Sequence, residues 1–176
     1  MHLLIVGLGN PGEQYTHTRH NLGIQAVKKF VGNHAIWKKE DQFIAEVAKT
    51  TAFQAIFPLT YMNNSGQSVV AFLNFLKATP AQLVVVHDEV ELPLGDVRWK
   101  ESGSASGHNG LRSIIDALGT DEFRRLRLGV GRPPEQMSLD RFVLEKFLDN
   151  EQEAVEQLLV TAVKELSTIL PHQPQE

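Results

Sequence analysis

Residues 2–31 read HLLIVGLGNPGEQYTHTRHNLGIQAVKKFV, a strand, a polar loop and a helix in succession. His2–Gly7 is a continuous apolar run, the pattern of a strand covered on both faces. A polar loop then carries the chain to Asn21. Over Asn21–Val31, Ile24, Val27, Phe30 and Val31 share one helical face, and Gly32-Asn33 closes the helix. The alternation continues downstream. Gln42–Lys49 and Phe53–Pro58 read as two strands of a hairpin turned at Thr50–Ala52. Ser65–Lys77 reads as a helix begun at Asn64, with Gln67 three residues on as in a capping box. Leu83–Val86 is a buried strand that ends at His87-Asp88-Glu89, and Val97–Lys100 is a short one.

The small, polar segment Glu101–Gly107 predicts a mobile loop. Gly110–Leu118 carries Leu111, Ile114, Ile115 and Leu118 on one stripe, a helix. In Arg125–Val130, Leu126, Leu128 and Val130 face one way while Arg125 and Arg127 face the other. Leu139–Phe147 reads as a short helical or irregular piece. Glu151–Leu170 is a long amphipathic helix with Val155, Leu158, Leu159, Ala162, Val163 and Leu166 inward. Strands and helices in alternation predict an α/β fold: a single three-layer α/β/α domain over residues 1–176, with a mixed, mostly parallel central sheet.

With 176 residues the chain can bury a sizeable core, and 42% hydrophobic with 22% charged residues is ordinary for a globular protein. It has no cysteine, which excludes disulfides, thiolate metal sites and a cysteine nucleophile. Leu3–Val6 is too short for a signal-peptide core and lacks a basic leader, and no run has the length of a membrane span. The expectation is a cytoplasmic protein with no membrane partner. Net charge is −4, but six acids lie between Asp149 and Glu176 against Lys164 alone. Between Arg98 and Arg132 seven basic residues face four acids, so a local basic surface for nucleic acid is compatible with the balance.

Four polar segments can carry chemistry: GLGNPGEQYTHTRHN (7–21), YMNNSG (61–66), HDE (87–89) and GHNG (107–110). Gly7–Gly12 fits G-x-G-x-x-G, yet Pro11 and the polar run after it delay the helix, and no strand-end acid appears about 20 residues on. A glycine-lined floor that lets a ligand approach the backbone fits better. His20 stands just before a helix N-terminus, where the dipole disfavours imidazolium and keeps the ring able to accept a proton. Asp88, at the tip of a buried strand, is the carboxylate best placed to orient it. Asn10, Asn63 and Asn109 each sit at a turn, where capping is one use and holding a peptide or polarising a carbonyl is another.

His17 and His20 form H-x-x-H, but nothing like H-E-x-x-H supports a metal. Gly103–Gly107 places Ala105 where a serine nucleophile would stand. His2, His34 and His172 read as solvated surface histidines, and Trp99 as core. Arg98, Lys100, Arg124, Arg125 and Arg127 are candidates for a phosphate-facing patch, with a solvated ion-paired face as the alternative. Neutral amides plus one His–Asp pair suit water attacking a carbonyl without a covalent enzyme intermediate.

These motifs resemble the bacterial peptidyl-tRNA hydrolases. Residues 6–21 are similar to VGLGNPG-x-x-Y-x-x-T-R-H-N throughout. Pro58–Gly66 resembles P-x-T-x-M-N-x-S-G, His87–Gly95 resembles H-D-E-x-x-L-P-x-G, and Gly107–Arg112 reads G-H-N-G-L-R before the R-L-R-x-G-x-G-R-P block at Arg125–Pro133. The resemblance implies cleavage of the ester joining a peptide to the 3′ ribose of tRNA, which recycles tRNA from prematurely released peptidyl-tRNA. It implies His20 as base, Asp88 as its partner and Asn10 as an aid to the reaction. It places Tyr15, Met62, Asn63, His108 and Asn109 at the substrate, and Arg98, Lys100 and Arg127 at tRNA phosphates. It further implies a monomer with no metal and no cofactor. The loop before His108 is less glycine-rich than the family's, and the C-terminus is short and acidic where many relatives end basic. A non-catalytic tRNA-binding or ribosome-associated module on the same scaffold is the alternative reading.

Overall fold

In a computed structural model, described here over residues 3–33 and 35–170, the strands form one seven-stranded sheet. They are β1 (Leu3–Gly7), β2 (Lys38–Glu40), β3 (Ala45–Lys49), β4 (Phe53–Pro58), β5 (Leu83–Glu89), β6 (Val97–Lys100) and β7 (Arg124–Gly129), in the order β2-β3-β4-β1-β5-β7-β6. β4, β1, β5 and β7 make a parallel centre. β3 and β6 run against their neighbours, and β2, antiparallel to β3, rejoins the main direction. Helices α1 (Leu22–Val31), α4 (Leu139–Leu144) and α5 (Gln152–Thr168) cover one face, while α2 (Ser65–Leu76) and α3 (Asn109–Leu118) cover the other.

Strand alternation divides the core accordingly. Ile5, Val84 and Val86 join Leu22, Val27, Leu158 and Leu159 on the α1/α5 side. Leu4, Val6 and Val85 join Val69, Phe72, Leu111 and Ile114 on the α2/α3 side. Fully buried aliphatic side chains of this kind stabilise by about 1.5–3 kcal/mol each. α1 packs so closely that a Cβ at Gly23 would overlap the Val86 carbonyl oxygen, which makes glycine necessary there. That contact sets the end of the His20 loop against the end of β5.

Several boundaries differ from the sequence reading. Asp41–Phe43 is a 3-10 turn, Ile44 is left-handed (φ 49°), and the strand begins only at Ala45. β2 has no counterpart in the reading, because the exposed polar run Lys38–Glu40 lacks any apolar alternation. Asn64 caps nothing; a 3-10 turn (Met62–Asn64) leads into α2, whose Gly66 N–H donates to Ser113 Oγ of α3 (2.9 Å). β5 extends through His87, Asp88 and Glu89, and every residue of it is buried. Trp99 packs against the core, with Nε1–H donating to Glu165 (2.9 Å). His2, His34 and His172 lie outside the described residues.

Candidate active site

The carboxyl ends of β1 and β5 open on one edge of the sheet, where α/β sites assemble. Asp88 is the next-to-last residue of β5 and is 3% exposed, on the face it shares with Val84 and Val86. His20 sits in the 3-10 turn Arg19–Asn21 that leads into α1. That turn is held from outside. The Arg19 backbone N–H donates to Glu145 O (3.1 Å), and its guanidinium donates to Lys146 O (2.7 Å) and pairs with Glu151 (2.7 Å). The same guanidinium lies over the rings of Phe142 (4.4 Å) and Phe147 (4.9 Å). A buried arginine thus ties the histidine turn to the segment around α4.

Two imidazoles converge on Asp88. His20 Nδ1 is 2.9 Å from Oδ2 and 3.0 Å from Oδ1, and His108 Nε2 is 2.9 Å from Oδ1. His108 Nδ1 receives the backbone N–H groups of Gly110 (3.1 Å) and Leu111 (3.3 Å), capping α3. A ring nitrogen in that role carries no proton, so His108 donates to Asp88 through Nε2–H. An ionised carboxylate only accepts, so His20 donates through Nδ1–H. Its Nε2 is left as a lone pair turned to the cleft. His108 reaches this position because Ser106 (φ 48°) and Gly107 (φ 84°) are both left-handed, turning the loop into α3.

Burial alone would raise the Asp88 carboxyl, but attraction to His20 and His108 and their hydrogen bonds outweigh it. The group is held well below the usual carboxylate range. Burial likewise pushes His20 down; the Asp88 charge and hydrogen bond, with a smaller contribution from the charge of Asp140, reverse this and leave the ring more basic than usual. The ring expected from the helix dipole to stay neutral is made more basic by the carboxylate expected to orient it. His87 is a third, hidden imidazole. Burial, with the His108 ring 5.0 Å away, pushes it down to about 3, and its Nδ1 donates to the Asp88 carbonyl (2.7 Å).

Among the described residues one His/Asp/Glu group brings three potential metal ligands together: His20, Asp88 and His108, with their atoms within 4.8 Å of one another. Both nitrogens are already bonded directly to the carboxylate, so they would have to release those protons to take an ion. His17 is exposed and stands outside this group.

Two hollows flank His20 and share Asn109, Asp140 and Val143 as walls. One continues past Asp88, Glu89 and Ser106–His108. The other runs past Asn10, Tyr61, Met62 and Asn63 to Leu144. Asn10 is held on three sides. Its N–H donates to Asn21 Oδ1 (2.8 Å), its carbonyl accepts from Asn21 Nδ2 (2.9 Å), and its own Oδ1 accepts from Met62 N–H (2.8 Å). The side-chain oxygen being occupied, its NH2 is the group offered to the cleft. Tyr15 packs edge-on against Tyr61, with ring centroids 6.4 Å apart.

The structure therefore gathers His20, Asp88, Asn10, Met62, Asn63, His108 and Asn109 around one cleft, with Tyr15 behind Tyr61. Arg98, Lys100 and Arg127 lie apart, on the β6–β7 edge. Arg98 is opposite Arg127, which is in register with His87, so they stand about 10 and 5 Å out from β5. Arg98 pairs with Asp96 (2.8 Å). Arg125 does not join a phosphate-facing surface: it is 1% exposed and donates to Ser104 O (2.7 Å) and Asp121 O (3.2 Å), pinning the loop before His108. Sequence reasoning missed Asn21, which it read only as a helix boundary, and the α4 wall, including Asp140. A buried polar residue inside T-R-H-N was the available signal for Asn21; Asp140 offered none.

Residues 4–176 match the family model described as peptidyl-tRNA hydrolase. The chain belongs to the peptidyl-tRNA hydrolase family. Its similarity to the peptidyl-tRNA hydrolase of Gloeobacter violaceus is 45% identity over 172 residues, covering 95% of this chain and 87% of the relative. The Chloroflexus aurantiacus peptidyl-tRNA hydrolase is 42% identical over 172 residues, covering 95% and 92%. The crystal structure of the Acinetobacter baumannii peptidyl-tRNA hydrolase superposes with a TM-score of 0.89 at 35% identity, covering 95% of this chain and 87% of that one. Family membership and the α/β architecture expected from the sequence agree with these matches.

Proposed function

We propose that this chain is an esterase that releases peptide from the 3′ ribose of tRNA and so recycles tRNA, with water activated at His20. The observation that carries the reading is the His20 Nδ1–Asp88 bond, which turns the other ring nitrogen, Nε2, to a cleft lined by amides. Nε2 takes a proton from water as the oxygen adds to the ester carbonyl carbon. The imidazolium that forms is stabilised by Asp88. The Asn10 NH2 and the Asn109 amide stabilise the oxyanion. On collapse the C–O bond to the ribose breaks, and the imidazolium returns its proton to the leaving 3′ oxygen.

His108 holds Asp88 in register, and Tyr15, Met62, Asn63 and Asn109 receive the acyl group and the 3′ end. Arg98, Lys100 and Arg127 meet backbone phosphates, a contact that weakens with salt. The enzyme works as a monomer in the cytoplasm, without metal or cofactor. No helix of the described residues is long and apolar enough to cross a membrane. The test is incubation with an N-acetyl-aminoacyl-tRNA, with and without a chelator, reading free tRNA. Release in both supports the proposal. Binding without release makes the chain a tRNA-binding module, and chelator-sensitive release transfers the water to a metal.

A further inference from the structure

The cleft has an electrostatic feature that the proposed chemistry does not use. Among the described residues no lysine or arginine lines either hollow beside His20. Of the acids there, Asp88 is spent on two imidazoles, and Glu89 accepts the Glu91 N–H (3.1 Å). Asp140 differs: it is exposed on the α4 wall, it borders both hollows, and among the described residues it forms no ion pair. Its neighbour Arg141 is turned to Glu145 (3.1 Å). The carboxylate is nonetheless near enough to His20 for its charge to act on that ring.

Resting on the hydrolase reading above, we infer that Asp140 is a specificity-determining residue, favouring substrates whose esterified amino acid has a cationic side chain. The ester carbonyl must come within one water of His20 Nε2, and His20 and Asp140 line the same two hollows, so the first side chain of the acyl group leaves from a point beside the wall that carries Asp140. A lysine stem is long and flexible enough to bring its ammonium to a carboxylate that has no other partner. A neutral side chain of equal length gains nothing there, and an acidic one is repelled. The same charge turns the acceptor-end phosphates from α4 toward other surfaces.

The experiment loads one tRNA body with three acyl groups: Nα-acetyl-lysine, Nα,Nε-diacetyl-lysine and Nα-acetyl-glutamate. It compares kcat/KM for the unmodified chain, Asp140→Asn and Asp140→Lys at low ionic strength. The diacetyl form keeps the shape of the lysine side chain and removes its charge. The unmodified chain should favour the charged over the neutral lysine by about two- to fivefold, the scale of one exposed ion pair. Asp140→Asn should bring the ratio near one, and Asp140→Lys should reverse the order toward glutamate. Equal rates on both lysine substrates, or a preference kept by Asp140→Asn, overturns the inference while leaving the hydrolase reading intact. Release from none of the three overturns that reading, and this inference with it.

Discussion

Asp88→Asn removes one charge and almost no volume, and the hydrogen bonds around position 88 set its effect. His108 Nδ1 is occupied by the N–H groups of Gly110 and Leu111, so its Nε2–H must find an acceptor at position 88. An asparagine has one oxygen, which His108 holds at the Oδ1 position; His20 Nδ1 is 3.0 Å from that oxygen but 2.9 Å from the Oδ2 position, where an NH2 group now stands and is opposed to the Nδ1–H. To accept that N–H, the His20 ring must move its own proton to Nε2, the nitrogen that should receive a proton from water. The variant keeps the geometry and loses the base. General-base help is worth about 10²–10⁴ in rate, and a triad histidine held in the wrong tautomer loses on the order of 10⁴. The shared carboxylate thus puts Asp88→Asn on a level with His20→Ala.

The assay is kcat/KM for release of free tRNA from an N-acetyl-aminoacyl-tRNA, with circular dichroism to show that the fold persists. Adding His108→Ala to Asp88→Asn frees the amide to turn its oxygen to His20, so the double variant should recover at least about tenfold over Asp88→Asn, a tenfold change being ~1.4 kcal/mol of barrier. A single variant within tenfold of normal, or a double variant no better than the single, refutes the tautomer argument.

The buried imidazoles give further expected outcomes. His20 is raised by its carboxylate neighbours, so kcat/KM should fall with acid through a midpoint above the ordinary histidine value of about 6.5; a midpoint at or below that value contradicts the Asp88 and Asp140 contributions. His87 has a folded value of about 3, so below about pH 6.5 the unfolded chain binds a proton that the folded chain refuses. Its contribution to stability is therefore intact above 6.5 and is lost as pH falls toward 3, about 2–3 kcal/mol of it by pH 4.5. Urea unfolding of the unmodified chain and His87→Asn at pH 7 and at pH 4.5 should show a flatter dependence in the variant, and parallel curves would leave His87 without this role. His20 acts in the opposite sense, its stabilisation being lost as pH rises through its raised value, which is why the comparison is made between the two proteins.

Much of this arrangement was legible in the chain. The apolar run before Gly7 and the stripe on α1 announced a strand–loop–helix unit, and the apolar Leu83–Val86 before His87-Asp88-Glu89 put an acid at a strand end. Both signals are local periodicities. What stayed hidden depends on contacts between distant segments. Asn64 read as a cap, but Ser113 of α3 took that task. His108 was expected at the substrate, and its bond to Asp88 shows only once the left-handed pair Ser106 and Gly107 turns it there. Arg125 looked like a surface cation, and only the fold shows it buried beneath the loop it holds. Lys38–Glu40 pairs at an edge with no apolar face to mark it.

The claim on which the mechanism stands is that the second nitrogen of His20 receives the proton of the attacking water. Single-turnover release of tRNA by His20→Ala, set beside the unmodified chain with binding of the substrate measured in parallel, tests it most directly. Binding should be retained and the rate lower by at least about 10²-fold. A variant that binds and releases at nearly the normal rate would contradict it.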